Sequence, residues 1–445
     1  MMRPQVRIPL VLFSSIVLIA TTVHAQTLLP WIVDESGNLQ KVETAMVFAE
    51  DPAAEPAETD QVEGESKTTG EQQQPPQPTE PAVPKLSPQM AAFRDQVRRT
   101  LSQVYAYSVD AQGNLPAEVI EFCETFGNTA EIASGGRSAQ KINAVGAVCW
   151  NYPCGGYKLL RTDGKQIVAQ VGYGHQNRPA QLLAMLARNR VPPSYELRIG
   201  DHQGTVADLI ASEKRACRQG LDQSATLIGL AFYTEPGETW ENDLGETWSV
   251  ERLLREELDR KPDAGRIDVV DRLAAISFAL KELKKDKVSS EVWERAQKHI
   301  DESHDYALGL QNADGSWHPG FFAYRGTSSD SAGSLYATGA ILVWLVDSLP
   351  KERLEDERLV RGLGYLHKQL ASVSGRRSAT SSSALAAVGQ LKAARALSLY
   401  DTRYFIPRTP KEPAAAPAPS QQANQPADGR SSPEQSSRSR STSRR

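Results

Sequence analysis

The chain has 445 residues, 40% of them hydrophobic, and a formal net charge of −4. A charge that small excludes the strong field by which a protein grips nucleic acid. Beyond the first 25 residues, no stretch is long and apolar enough to cross a membrane.

Arg3 and Arg7 precede the apolar run IPLVLFSSIVLIATTV, and Val23-His24-Ala25 closes it. This layout predicts a signal peptide over 1–25, cut after Ala25, and an exported protein, periplasmic or extracellular. The competing arrangement, an uncleaved anchor, needs roughly 20 apolar residues, and Ser14 and Ser15 interrupt the run. No Cys follows it to carry a lipid. Residues 26–87 become rich in Pro, Glu and Gln with few large apolar side chains, which predicts a disordered acidic spacer. The far end, 406–445, has a similar composition but turns basic in SRSRSTSRR. A solvated tail is the expectation there, with no nucleic-acid role in an exported chain.

Residues 88–405 form the folded region, enough for one large domain. Apolar spacing and breakers predict helices at 88–109, 115–127, 137–150, 179–190, 205–217, 221–234, 249–260, 268–285, 289–311, 334–349, 354–373 and 382–403. In DVVDRLAAISFALKEL, Val269, Leu273, Ile276 and Leu280 share one face. ATGAILVWLVDSL is apolar nearly all round and predicts a buried helix, whereas LEDERLVRGLGYLHKQL is amphipathic and belongs outside. One β signal stands out, YKLLRTDGKQIVAQV, where Asp163-Gly164 suits a tight hairpin turn. The four cysteines, Cys123, Cys149, Cys154 and Cys217, fit disulfides or inert thiols better than zinc, since Cys149 and Cys154 lack a second close pair. The expected fold is all-α: paired helices that close into an α/α toroid of about twelve helices, with one small β-hairpin insertion.

Within LQNADGSWHPGFF and the helix before it, Tyr306, Gln311, Gly315 and Trp317 stand at the spacing of a QW motif. The motif resembles that of the terpenoid cyclases, whose α/α toroid is shared with the protein prenyltransferases. The resemblance implies that Gln311 hydrogen-bonds to the start of a neighbouring helix and that Trp317 stacks on the preceding one. The cyclases' Asp-x-Asp-Asp acid and the Asp-Asp-x-x-Asp diphosphate site are both absent, as is the Gly-Cys-Gly-Glu-Gln string of the thioester-domain toroids. No Cys lies beyond Cys217 to build the prenyltransferase zinc site. The catalytic parts of these families therefore do not carry over, and no cofactor is specified.

Three stretches could carry chemistry. GYGHQNRPAQLL places Tyr173, His175, Gln176 and Asn177 on a Gly-rich loop before a helix, where an acid–base pair of Tyr173 and His175 could act with the two amides binding. The same groups could instead cap the helix and tie the hairpin to it. His318 follows Trp317 in a loop and is a second catalytic candidate. GETWENDLGETW sets Trp240 and Trp248 among carboxylates, either as a ligand-stacking lip or as plugs packed on helix ends. His299 and His304, five apart, do not share a helix face, and no metal site is expected. The expected function is an exported protein of unassigned activity whose toroid binds a ligand or an envelope partner. The alternative is a polysaccharide lyase or glycoside hydrolase acting outside the cytoplasm, and third comes a terpenoid cyclase-like enzyme.

Overall fold

The computed structural model describes residues 31–33, 39–41, 86–106, 109–135, 140–261, 268–283, 288–374 and 384–405. The expected signal peptide, 1–25, and the expected tail, 406–445, lie outside them. So does most of 26–87, although two short strands in that stretch, β1 (Trp31–Val33) and β2 (Leu39–Lys41), pair antiparallel where a structureless spacer was expected.

Twelve α-helices dominate the described residues: α1 (Pro88–Ala106), α2 (Pro116–Phe126), α3 (Ala144–Cys149), α4 (Gln181–Arg188), α5 (Val206–Arg215), α6 (Ser224–Tyr233), α7 (Val250–Asp259), α8 (Asp268–Glu282), α9 (Ser290–Gly309), α10 (Ser331–Ser348), α11 (Glu357–Ser374) and α12 (Ala384–Arg403). Local chemistry sets many of the starts. Pro116 occupies the first turn of α2, and the Glu118 carboxylate turns back to accept the Leu115 N–H at 2.8 Å. Asp208 does the same for Thr205 at 2.7 Å ahead of α5. Ser249 caps α7 by accepting from Arg252 N at 3.1 Å, and Asp330 caps α10 by accepting from Gly333 N at 2.9 Å.

The fold is all-α apart from two-stranded antiparallel sheets. The expected hairpin is present as β5 (Leu160–Asp163) and β6 (Gln166–Ala169), with Gly164 at a φ of 60° that its turn requires. Three further hairpins escaped the periodicity: β3 (Glu131–Ala133) with β4 (Lys141–Asn143), β7 (Glu196–Ile199) with β8 (His202–Thr205), and β9 (Thr239–Glu241) with β10 (Thr247–Ser249). The predicted helix 137–150 is accordingly shorter. Its KIN segment pairs as β4, and Asn143 then caps α3 by accepting from Gly146 N at 2.7 Å.

Helix contacts follow a regular order. α2 packs on α4, α4 on α6, α6 on α8, α8 on α10, α10 on α12, and α12 on α2 again. The odd-numbered helices pack against members of this series: α3 on α2, α5 on α4 and α6, α7 on α6 and α8, α9 on α8, α11 on α10 and α12, and α1 on α12. Burial follows the same division. α10 buries residues all round, including Leu335, Ile341, Leu342, Trp344 and Leu345, while α11 buries the single stripe Leu359, Leu363, Leu366 and Leu370.

Candidate functional site

The LQNADGSWHPGFF loop is held from both sides. Gln311 Nε2 donates to the Arg358 carbonyl at the start of α11 at 2.8 Å and to the Gly315 carbonyl at 3.1 Å. The wholly buried Trp317 donates through Nε1 to the Ala307 carbonyl of α9 at 2.7 Å, and its backbone N–H goes to Thr338 Oγ1 of α10 at 2.9 Å. Gly315 has a φ of 94°, and a Cβ there would stand 2.5 Å from the Arg361 carbonyl oxygen, so no other residue fits this crossing. Tyr306 stands on α9, half-exposed, its hydroxyl donating to the Phe322 carbonyl at 3.1 Å. These contacts join α9, α10 and α11. His318 turns back on its own loop, with Nδ1 accepting from Gly320 N at 3.0 Å and the ring 5.3 Å from Tyr324.

The 173–177 loop is organised around Gln176, which is fully buried. Its Nε2 donates to the Ala169 carbonyl of β6 at 3.1 Å and its Oε1 accepts from Leu182 N of α4 at 2.9 Å. Both ends of the amide are thus spent in latching the hairpin to the helix. Tyr173 is 83% exposed, and both it and His175 lie edge-on to Tyr157, at 5.8 Å and 5.7 Å. The exposed Asn177 donates its backbone N–H to Gln181 Oε1 at 2.9 Å. Trp240 and Trp248 face each other across β9 and β10. Trp248 is wholly buried and stacks under the Arg252 guanidinium at 3.9 Å, and half-buried Trp240 donates to the Lys214 carbonyl at 3.0 Å. The buried Trp248 indole offers no open face for a ligand to stack on.

Between α2, α4, α8 and α12 lies a cluster of buried and half-buried ion pairs. Glu121 of α2 pairs with Lys392 of α12 at 2.8 Å, and Glu124 of α2 pairs with Arg188 of α4 at 2.7 Å and with Arg395 of α12. Arg178, ahead of α4, pairs with Asp271 of α8. Burial alone would push the Glu124 carboxyl up, but Arg395, Arg188 and Lys392 together hold it well below the usual carboxylate range. The space left among Glu121, Glu124, Arg178, Arg188, Asp271 and Lys392 is only about 30 Å³, room for water and little else. Neither His175 nor His318 lines it.

A larger cavity, of about 280 Å³, lies between the β5–β6 hairpin and α5. Its wall includes Val168, Ala169, Pro179 and Ala180, and its polar rim holds Arg161, Asp163, Gln166, Arg215, Arg218 and Asp243. Glu213 and Ser212 of α5, both buried, also line it. Burial pushes the Glu213 carboxyl up to about 7. Of the residues singled out from sequence, Gln176 alone reaches this cavity; Tyr173, His175, Asn177, Trp240, Trp248 and His318 do not line it. Sequence reasoning missed Glu213, although it carries a signal. Val206, Leu209, Ile210 and Cys217 form the buried stripe of this segment, and Glu213 falls on it, four residues from both Leu209 and Cys217.

All four cysteines are buried free thiols. Burial pushes Cys149 up to about 12, Cys154 to about 11 and Cys217 to about 12, and pushes Cys123 well up too. Among the described residues, no group of three or more His, Cys, Asp or Glu is arranged to hold a metal ion. No protein-family model matches the chain, and no curated protein matches it.

Proposed function

We propose that this chain is an exported α/α-toroid protein that binds a small polar ligand in the cavity between the β5–β6 hairpin and α5. The cyclic succession α2, α4, α6, α8, α10, α12 and back to α2 supports an inner ring, and the odd-numbered helices supply an outer layer. The observation that carries the binding reading is the contrast between two spaces. The meeting point of the even-numbered helices is filled by ion pairs around about 30 Å³, whereas the cavity beside α5 offers about 280 Å³ with unspent polar groups on an apolar wall.

The charged filling counts against a terpenoid substrate, which would need a roomy apolar chamber. Tyr173 is exposed and neither it nor His175 lines the cavity, which favours binding there over a lyase or hydrolase that uses that pair. Binding without turnover is the simpler function for what remains. The test is a thermal-shift screen of the mature chain against neutral and acidic mono- and oligosaccharides and small organic acids. A saturable rise in Tm is expected with a subset, and Ala216→Trp, which fills the cavity, should abolish it. If no member of the panel gives a saturable shift, or if the shift survives Ala216→Trp, this function is wrong.

A further inference from the structure

Resting on that reading, we propose that the occupant is a polyhydroxylated carboxylate the size of one sugar acid, its carboxylate taken by Arg215 and its hydroxyls by Glu213 and Ser212. Three guanidinium groups stand around the cavity, and two are already neutralised. Arg161 pairs with Asp163 at 3.1 Å, and Arg218 pairs with Asp243 at 2.5 Å while also donating to the Cys217 and Arg215 carbonyls. Among the described residues Arg215 has no carboxylate partner. Its Nε and Nη2 meet only the Gln166 amide oxygen, at 3.3 Å and 3.2 Å, once that amide is turned to suit its surroundings. A half-buried guanidinium with only a neutral acceptor is a ready seat for a carboxylate, which it can grip with two parallel bonds.

The other groups define the rest of the ligand. Ser212 Oγ is buried without a hydrogen-bond partner. Burial raises the Glu213 carboxyl to about 7, so much of it keeps its proton near neutral pH and can both donate to and accept from a hydroxyl. Arg215 and Glu213 are two apart on α5, which sends them toward different margins of the cavity and separates the charged end of a ligand from its hydroxylated end. A cationic ligand would meet Arg215, which has no carboxylate partner among the described residues. A monoanion bearing hydroxyls satisfies all of these groups together.

The test is calorimetric titration at fixed pH and ionic strength with D-glucuronate, D-glucose and inorganic phosphate. The proteins compared are wild type, Arg215→Gln, Glu213→Gln and Glu213→Leu, each shown by circular dichroism and Tm to be folded. Glucuronate should bind roughly tenfold more tightly than glucose or phosphate, and Arg215→Gln should remove that margin while leaving glucose unchanged. Glu213→Gln, which keeps a donor and an acceptor, should bind glucuronate within about threefold of wild type, whereas Glu213→Leu should lose about tenfold. Equal binding of glucose and glucuronate, or no effect of Arg215→Gln, overturns the ligand class while leaving cavity binding intact. Failure of all three probes, when another member of the screening panel binds, also overturns the class alone. If nothing in the panel binds, the cavity reading falls and the ligand class with it.

Discussion

The indole N–H of Trp317 donates to the carbonyl oxygen of Ala307 at 2.7 Å, which folds the loop after α9 back onto the helix it has just left. Gln311 meanwhile reaches forward to the Arg358 carbonyl at the start of α11. The pair therefore works as a clasp between three helices. Gln311→Leu loses two hydrogen bonds but also removes an amide oxygen that is buried without a partner, so the net cost should be small, about 1 kcal/mol. Trp317→Ala deletes the hydrogen bond and a wholly buried indole, and should cost about 3–5 kcal/mol. Urea denaturation of both variants checks the ordering. A cost for Gln311→Leu equal to that of Trp317→Ala would show that the amide, not the ring, carries the clasp.

Long periodic segments were legible because burial imposes a repeat that the sequence has to obey. The all-round apolar run of α10 and the single stripe of α11 are examples. The short hairpins were not. Strands of three or four residues, such as KIN in β4 or HQGT in β8, are too brief to display an alternation. The charged centre was illegible for another reason. Glu124 and Arg395 are 271 residues apart and Arg188 lies 64 residues from Glu124, so only the succession of helix contacts brings the three together. Glu213 offered a local clue, a carboxylate on a buried stripe, and it lines the cavity.

Glu124 is the test of how much the buried ion pairs matter. It faces both Arg188 and Arg395, and Glu124→Gln would leave two guanidinium groups in a closed space with one counter-charge fewer. A loss of about 3–5 kcal/mol is expected in urea denaturation. The exposed pair Lys298–Glu302, at 3.8 Å on α9, is the control, and Glu302→Gln should change stability by less than about 0.5 kcal/mol. Equal effects of the two substitutions would contradict the central role given to Glu124.

The thiols make a separate prediction. Burial raises all four and so disfavours the thiolate, the form that reacts. The native protein should react negligibly with a thiol-specific disulfide reagent over minutes, and denaturant should release four equivalents. Two equivalents or none after denaturation would mean that cysteines pair in the purified protein.

His304 should make the fold sensitive to acid. Its Nε2 lies 2.7 Å from Ser348 Oγ and its ring stacks 5.0 Å from Trp344, while burial and then Arg353 push it down to about 4 from 6.5. A depressed histidine binds its proton less readily folded than unfolded. Its stabilising contribution is therefore complete above pH 6.5 and is lost as pH falls toward 4, a change of about 3 kcal/mol. His304→Gln should remove this contribution, so that the variant loses stability relative to wild type at pH 7 but much less at pH 4.5, a result read by comparing urea midpoints of the two proteins at both pH values. An unchanged difference between the two pH values would show that His304 takes up its proton as readily in the fold as in the unfolded chain.

Glu213 works in the opposite direction, and over nearly the same interval. Its carboxyl rises from 4.5 to about 7, so the folded state holds the proton more tightly than the unfolded chain. The contribution is complete below pH 4.5 and is lost as pH rises through 7, again by about 3 kcal/mol. Between pH 4.5 and 6.5 the slopes from His304 and Glu213 therefore oppose each other, so wild-type stability hides both. Glu213→Gln unmasks them. The variant should gain on wild type as pH rises from 5 to 8, and its remaining pH dependence over the lower part of that range should take the sign set by His304. Urea denaturation at four pH values across the interval, on wild type, both single variants and the double variant, measures each slope. If Glu213→Gln shows no relative gain at pH 8, Glu213 is already ionised at neutral pH and some cation or solvent path reaches the floor of the cavity.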